Sequence, residues 1–210
     1  FKMRGKGLFI SFEGIDGCGK STLKEAVAAC LEKESVVGVR EPGGTCISEK
    51  IRDLLLDGRN AAITAKTEAL LYAAARSQLV DEMINPALAE GKTVLADRYI
   101  DSTIAYQGYG RGLSIDWVEQ LNQLCTGGLK PDLTFLLDLD PREAQRRKRE
   151  GSPDRLEKEG VLFQEKVREG YLKIAEAEPQ RVKVLDACQD LASLLSETIK
   201  HIYKVKNLQC

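Results

Sequence analysis

Five short runs of apolar and β-branched residues punctuate the chain: LFISFE (8–13), VVGVR (36–40), TVLAD (93–97), LTFLLD (133–138) and VKVLD (182–186). Most are continuous rather than alternating, the pattern of strands covered on both faces in a parallel sheet. They close on Glu13, Arg40, Asp97, Asp138 and Asp186, and open α/β sheets hold their ligands at the carboxyl ends of such strands. Between the runs the apolar positions adopt a helical period. Leu23, Val27, Cys30 and Leu31 form one stripe, and Ile47, Ile51, Leu54 and Leu55 another. Ala69, Ala73, Val80, Ile84 and Leu88 share a face of a long segment, 64–88, which Pro86 is expected to kink or restart. Trp117, Leu121 and Leu124 mark a shorter helix. Phe163, Val167, Tyr171 and Ile174 mark the next, and Leu191, Leu194, Leu195, Ile199 and Ile202 the last. Strands alternating with helices predict a three-layer α/β/α fold, with a five-stranded parallel sheet, in a single domain.

Composition narrows the function classes. The 210 residues suffice for one α/β domain without disulfide or metal staples. A formal net charge of −1 excludes a nucleic-acid footprint spread over the whole surface. The six cysteines form no C-x-x-C pair and have no histidine cluster nearby, which fits a reducing cytosol better than a zinc site or a disulfide scaffold. FKMRGKG at the start carries charge without the apolar centre of a secretory signal, and no run approaches membrane-spanning length. A cytoplasmic protein with no membrane partner and no nucleic-acid partner is therefore expected.

The strongest chemical signal is FEGIDGCGKST (12–22), whose middle matches the phosphate-loop pattern G-x-x-x-x-G-K-[ST]. A strand before it and a helix after it give the motif its required context, a three-layer P-loop kinase fold. Gly14, Gly17 and Gly19 let successive N–H groups turn into one concavity at a helix N-terminus. Lys20 is expected to reach the β- and γ-phosphates of ATP, and the Ser21 hydroxyl to ligate Mg²⁺. Gly14, Ile15, Asp16, Gly17, Cys18, Gly19, Lys20, Ser21 and Thr22 make up the ATP-binding set. In Cys18 the loop simply needs a small residue.

The loop is silent about the acceptor, and three other segments speak to it. REPGGT (40–45) closes the second strand, and DRY (97–99) closes the third, followed by DSTIAYQGYGRG (101–112). LLYAAARSQ (70–78) puts Tyr72 and Arg76 four apart on one helix face, where a ring and a guanidinium can sandwich a base. Each alone admits a plainer reading: packing for the Tyr–Arg pair, a strand-end ion pair for DRY. In order with DRLE (154–157), these segments resemble the bacterial thymidylate kinases over almost the whole length.

That family transfers the γ-phosphate of ATP to dTMP, giving dTDP, with Mg²⁺. The resemblance implies that Asp16 holds the deoxyribose 3′-hydroxyl, that Tyr72 stacks on thymine, and that Arg76 addresses the O4 edge. Ser102, Thr103, Tyr106 and Gln107 would line the rest of the base pocket, with Tyr106 also filling the space of a 2′-hydroxyl. Arg98 would bridge the dTMP phosphate and the transferring group. Asp97 and Glu41 would meet Mg²⁺ through water, Glu41 also lying in the dTMP site. The family's homodimer is implied too, with 64–88 a candidate for the contact.

PREAQRRKREGSPDRLE (141–157) is a run of arginines broken by Gly-Ser-Pro. By composition it is a solvated helix face or an RNA patch; its glycine–proline punctuation suggests a mobile flap. Since the phosphate loop contains no arginine, the resemblance is to thymidylate kinases whose catalytic arginines come from this lid, Arg146 and Arg149 being favoured over Arg147. Arg155 would anchor the lid, and Gln164 would face the nucleotide. His201, the lone histidine, lies far from every motif. A GTPase-type switch is disfavoured because no asparagine precedes a lysine, as N-K-x-D would require. The closer rival is a deoxynucleoside kinase, whose sugar hydroxyl acceptor needs a carboxylate base, a part open to Glu13 or Glu41.

Overall fold

The computed structural model describes residues 7–31, 35–147 and 155–209. Five strands, β1 (Phe9–Glu13), β2 (Val36–Arg40), β3 (Thr93–Asp97), β4 (Leu133–Asp138) and β5 (Val182–Asp186), form one sheet in the order β2-β3-β1-β4-β5. Every pairing is parallel, with Ile10 opposite both Leu95 and Leu133. The strands coincide with the apolar runs, except that β1 begins at Phe9 instead of residue 8.

The helices are α1 (Lys20–Cys30), α2 (Cys46–Leu56), α3 (Ala65–Leu79), α4 (Asn85–Ala89), α5 (Ile100–Thr103), α6 (Ile115–Thr126), α7 (Pro141–Arg147), α8 (Val161–Ala177) and α9 (Leu191–Gln209). Successive β1 side chains point to opposite faces, and the core divides accordingly. Ile10 and Phe12 join Leu23 and Val27 of α1, Val167 of α8 and Ile202 of α9. Phe9 joins Leu79, Val80 and Ile84 below α3. The result is the expected α/β/α sandwich.

Helix boundaries follow local chemistry. Thr45, Thr64 and Ser114 cap α2, α3 and α6, each accepting a backbone N–H with its side-chain oxygen. After α3 the chain widens into a π-type stretch, Val80–Ile84, and α4 restarts with Pro86 in its first turn, where the missing N–H costs nothing. A second π-type stretch, Ile104–Gly110, carries Tyr106 and Gln107; no periodicity in the sequence marks it.

Several stripes were misjudged as core. On α6 the buried residues are Val118, Asn122 and Thr126, while Leu124 is 81% exposed. Ile47, Leu54 and Leu191 are likewise exposed, as is Cys30; Leu70, which belongs to no stripe, is exposed too. Apolar spacing fixes that a face wants cover; it does not say that this chain supplies the cover.

Candidate active site

The phosphate loop leaves β1 at Glu13. Gly14 adopts φ 137°, and a Cβ there would lie 2.6 Å from the Leu137 carbonyl oxygen, so only glycine fits. Gly19, at φ 94°, opens α1. Ile15 and Cys18 turn into the core, so their contribution to the loop is backbone. Lys20 Nζ lies 3.3 Å from Asp16 Oδ1 and donates to the Ile15 carbonyl at 3.4 Å. Ser21 Oγ donates to Asp97 Oδ2 at 2.5 Å. Thr22 is exposed at the start of the helix.

One cavity, about 270 Å³, opens at the carboxyl ends of β1, β2 and β3. Asp16, Lys20, Ser21, Asp97 and Arg98 line its phosphate end. Glu41, Tyr72, Arg76, Ser102, Thr103, Tyr106 and Gln107 line the remainder. The structure thus brings together residues as far apart in the sequence as Asp16 and Leu156.

Arg98 sits at the junction. Its φ of 70° is left-handed, a conformation costing a non-glycine residue about 1–2 kcal/mol. Nη2 donates to Asp16 Oδ1 at 2.6 Å and to the Tyr106 hydroxyl at 3.1 Å, and the guanidinium carbon lies 5.0 Å from the centre of the Tyr106 ring. Nη1 donates to Ser102 Oγ at 3.2 Å and to the Tyr171 hydroxyl at 3.1 Å. Burial opposes this charge, but Tyr106, Asp16, Tyr171 and Glu13 together raise the Arg98 pKa well above the ordinary arginine value. A cation that cannot deprotonate faces the cavity.

Arg76 lines the same cavity. It is fully buried and committed to protein: Nε donates to Glu41 Oε2 at 2.8 Å, Nη1 to Asn122 Oδ1 at 2.8 Å, and Nη2 to the Tyr99 carbonyl at 3.1 Å. Nη2 also pairs with Glu41 Oε2 at 2.7 Å. All three nitrogens thus have protein partners, and the Cys125 side chain also bonds the guanidinium. Glu41, expected to meet Mg²⁺ through water, is bound instead to Arg76. Its Oε1 is buried and has no hydrogen-bond partner among the described residues. Burial raises the Glu41 pKa, and Arg76 pulls against that shift.

The floor of the pocket is held by Glu68, a wholly buried carboxylate of α3. It accepts from Gln107 Nε2 at 2.8 Å, Arg111 Nη2 at 3.0 Å and Arg155 Nη1 at 2.6 Å. Arg155 also donates from Nε to the Leu55 carbonyl at 2.9 Å, mooring 155–159 to α2. Gln164, expected to face the nucleotide, does not line the cavity, and its buried amide atoms have no partner among the described residues. Arg146 is exposed and pairs with Glu143 at 3.0 Å, outside the cavity lining. Arg149 lies outside the described residues.

The sequence reading missed Glu13, Tyr171, Asn122 and Arg52. Glu13 was weighed only as a rival's base, and Tyr171 only as a core position. Asn122 carries no motif at all. Arg52 lines the cavity with Nη1 donating to the Pro42 carbonyl at 2.7 Å, one charge among several on α2.

The family model described as thymidylate kinase matches residues 12–198. The chain belongs to the thymidylate kinase family. It is 52% identical over 201 residues to a thymidylate kinase of Lactobacillus delbrueckii subsp. bulgaricus, covering 93% of this chain and 95% of that one. A thymidylate kinase of Thermoanaerobacter pseudethanolicus is 47% identical, covering 95% of this chain and 98% of the relative. The crystal structure of thymidylate kinase from Ehrlichia chaffeensis superimposes with a TM-score of 0.73 at 35% identity, covering 94% of this chain and 99% of that one. No helix among the described residues is long and apolar enough to cross a membrane.

Proposed function

We propose that the protein transfers the γ-phosphate of ATP to dTMP, giving dTDP, with Mg²⁺ as cofactor. The observation that carries this reading is a single cavity with the phosphate-loop cation Lys20 and Arg98 at one end and the Tyr72–Arg76 pair at the other. A monophosphate acceptor has a second pKa of about 6 and is mostly dianionic at neutral pH, so it needs alignment and charge neutralisation rather than a base. Lys20 and Arg98 supply those charges from fixed positions. Tyr72 stacks on thymine, Arg76 addresses its O4 edge, and Ser102, Thr103, Tyr106 and Gln107 close the pocket. Asp16 takes the 3′-hydroxyl, exchanging part of its present contact with Arg98.

Ser21 and Asp97 fit Mg²⁺. A hydroxyl and a carboxylate side by side suit an ion that keeps several waters and takes its other ligands from substrate phosphates. The ion would neutralise charge on the transferring group. Residues 1–210 act as one nucleoside monophosphate kinase domain, with the lid at about 141–157 bringing Arg146 and Arg149 to the phosphates. The uncovered apolar residues Ile47, Leu54, Leu70 and Leu124 support a homodimer through α2, α3 and α6.

The carboxylates open to the sugar-hydroxyl alternative are partly held by protein: Arg76 bonds one oxygen of Glu41, and Glu13 lies behind Arg98 with three donors of its own. A coupled assay with ATP and Mg²⁺ tests the reading directly. Turnover is expected with dTMP and none with thymidine; the reverse would refute it.

A further inference from the structure

Glu13 closes β1 and is completely buried. Its two oxygens serve two different links to Arg98. Oε1 accepts the Tyr99 backbone N–H at 2.7 Å, immediately after the left-handed turn at Arg98. Oε2 accepts from Ser102 Oγ at 2.6 Å and from the Tyr171 hydroxyl at 2.9 Å. Those same two hydroxyl oxygens receive the Arg98 Nη1 hydrogens.

Counting protons makes the order plain. A hydroxyl has one hydrogen to give and lone pairs to receive. The two hydroxyls also lie 2.8 Å from each other, where either could donate; an ionised carboxylate only accepts, so it draws both hydrogens away from that contact toward itself and leaves both oxygens open to Arg98. Three elements, β1, α5 and α8, are thereby tied to Nη1 of one guanidinium, whose Nη2 is held separately by Asp16 and Tyr106.

We propose that Glu13 is a positioning residue for Arg98, fixing the turn that carries the arginine and orienting the Ser102 and Tyr171 hydroxyls that hold its guanidinium. This rests on the reading of Arg98 as the group that meets the transferring phosphate. Glu13 touches neither substrate. It acts through the direction of two O–H bonds and one N–H bond.

Glu13→Gln separates the two links. The amide carbonyl keeps the Tyr99 N–H bond, and the amide nitrogen donates to the hydroxyls, turning their hydrogens toward Arg98. Tyr171→Phe removes one hydroxyl and leaves the carboxylate, which guards the test against a Gln variant that fails to fold.

Steady-state kinetics would be measured at pH 8, varying dTMP and ATP separately, on wild type, both single variants, their double variant and Arg98→Ala, with thermal melts to verify folding. Glu13→Gln is expected to lower kcat roughly tenfold or more, the cost of a misaimed group, with the ATP KM changed less than about twofold. Tyr171→Phe is expected to lower kcat by less, and the double variant to be no worse than Glu13→Gln, because both act through one guanidinium. Wild-type kcat in both single variants alongside a crippled Arg98→Ala would overturn the proposal and leave the role of Arg98 standing. Fully additive losses would also overturn it. Wild-type turnover by Arg98→Ala would bring down the reading of the site itself.

Discussion

Burial and the nearby Asp101 charge push the Glu13 carboxyl up to about 7, against the pull of Ser102, Arg98 and Tyr171. The unfolded chain releases that proton near 4.5, so between those values the native state binds more protons and stability from this group falls as pH rises. Melts of Glu13→Gln against wild type across pH 4 to 8 are expected to shift in favour of the variant through that window; parallel curves would contradict the burial. Asn122 offers a second test at this scale. Asn122→Ala leaves an Arg76 N–H without its acceptor, a loss of about 1–3 kcal/mol. The dTMP KM should rise by about tenfold or more while the ATP KM stays put, and equal rises in both would count against this base-side assignment. Neither residue was legible in its role beforehand. Glu13 reads as any strand-end acid, and its partner Tyr171 lies 158 positions away. The phosphate loop was legible because its chemistry is contiguous, whereas a hydrogen-bond network assembled by the fold leaves no spacing to recognise.

Among the elements, strands were the most readable because the central strands β1, β3 and β4 are covered on both faces, which makes them nearly unbroken apolar runs. Pro86 was readable for a covalent reason, having no N–H to give. The α6 stripe was misread in an instructive way. Trp117, Leu121 and Leu124 have helical spacing, yet the inward positions are Val118, Asn122 and Thr126. One of those inward residues is polar because it holds Arg76. If the outer stripe is covered by a second copy, Leu70→Asp combined with Leu124→Asp should convert the protein to monomers in sedimentation experiments. An unchanged mass would assign those faces to solvent. Such surface changes bury nothing in the monomer, so their direct effect on its folding should be within about 0.5 kcal/mol.

For the molecule as a whole, the cavity is lined from the phosphate loop, α1, β2, β3, α2, α3, α5 and the π-type stretch after it, so filling it should stabilise all of them together. Addition of dTMP at about 100 times its Kd is expected to contribute about 2.7 kcal/mol, seen as a raised melting temperature that thymidine does not match. No shift with dTMP would mean the cavity is not its site. Glu68 governs how such a molecule can change. One carboxylate receives Gln107, Arg111 and Arg155 from three separate stretches of chain. Replacing it would take a shared acceptor from Arg111 and Arg155, leaving them Glu159 and the Leu55 carbonyl respectively, and would loosen the pocket floor together with the mooring of 155–159. Those two properties therefore cannot be adjusted one at a time through Glu68.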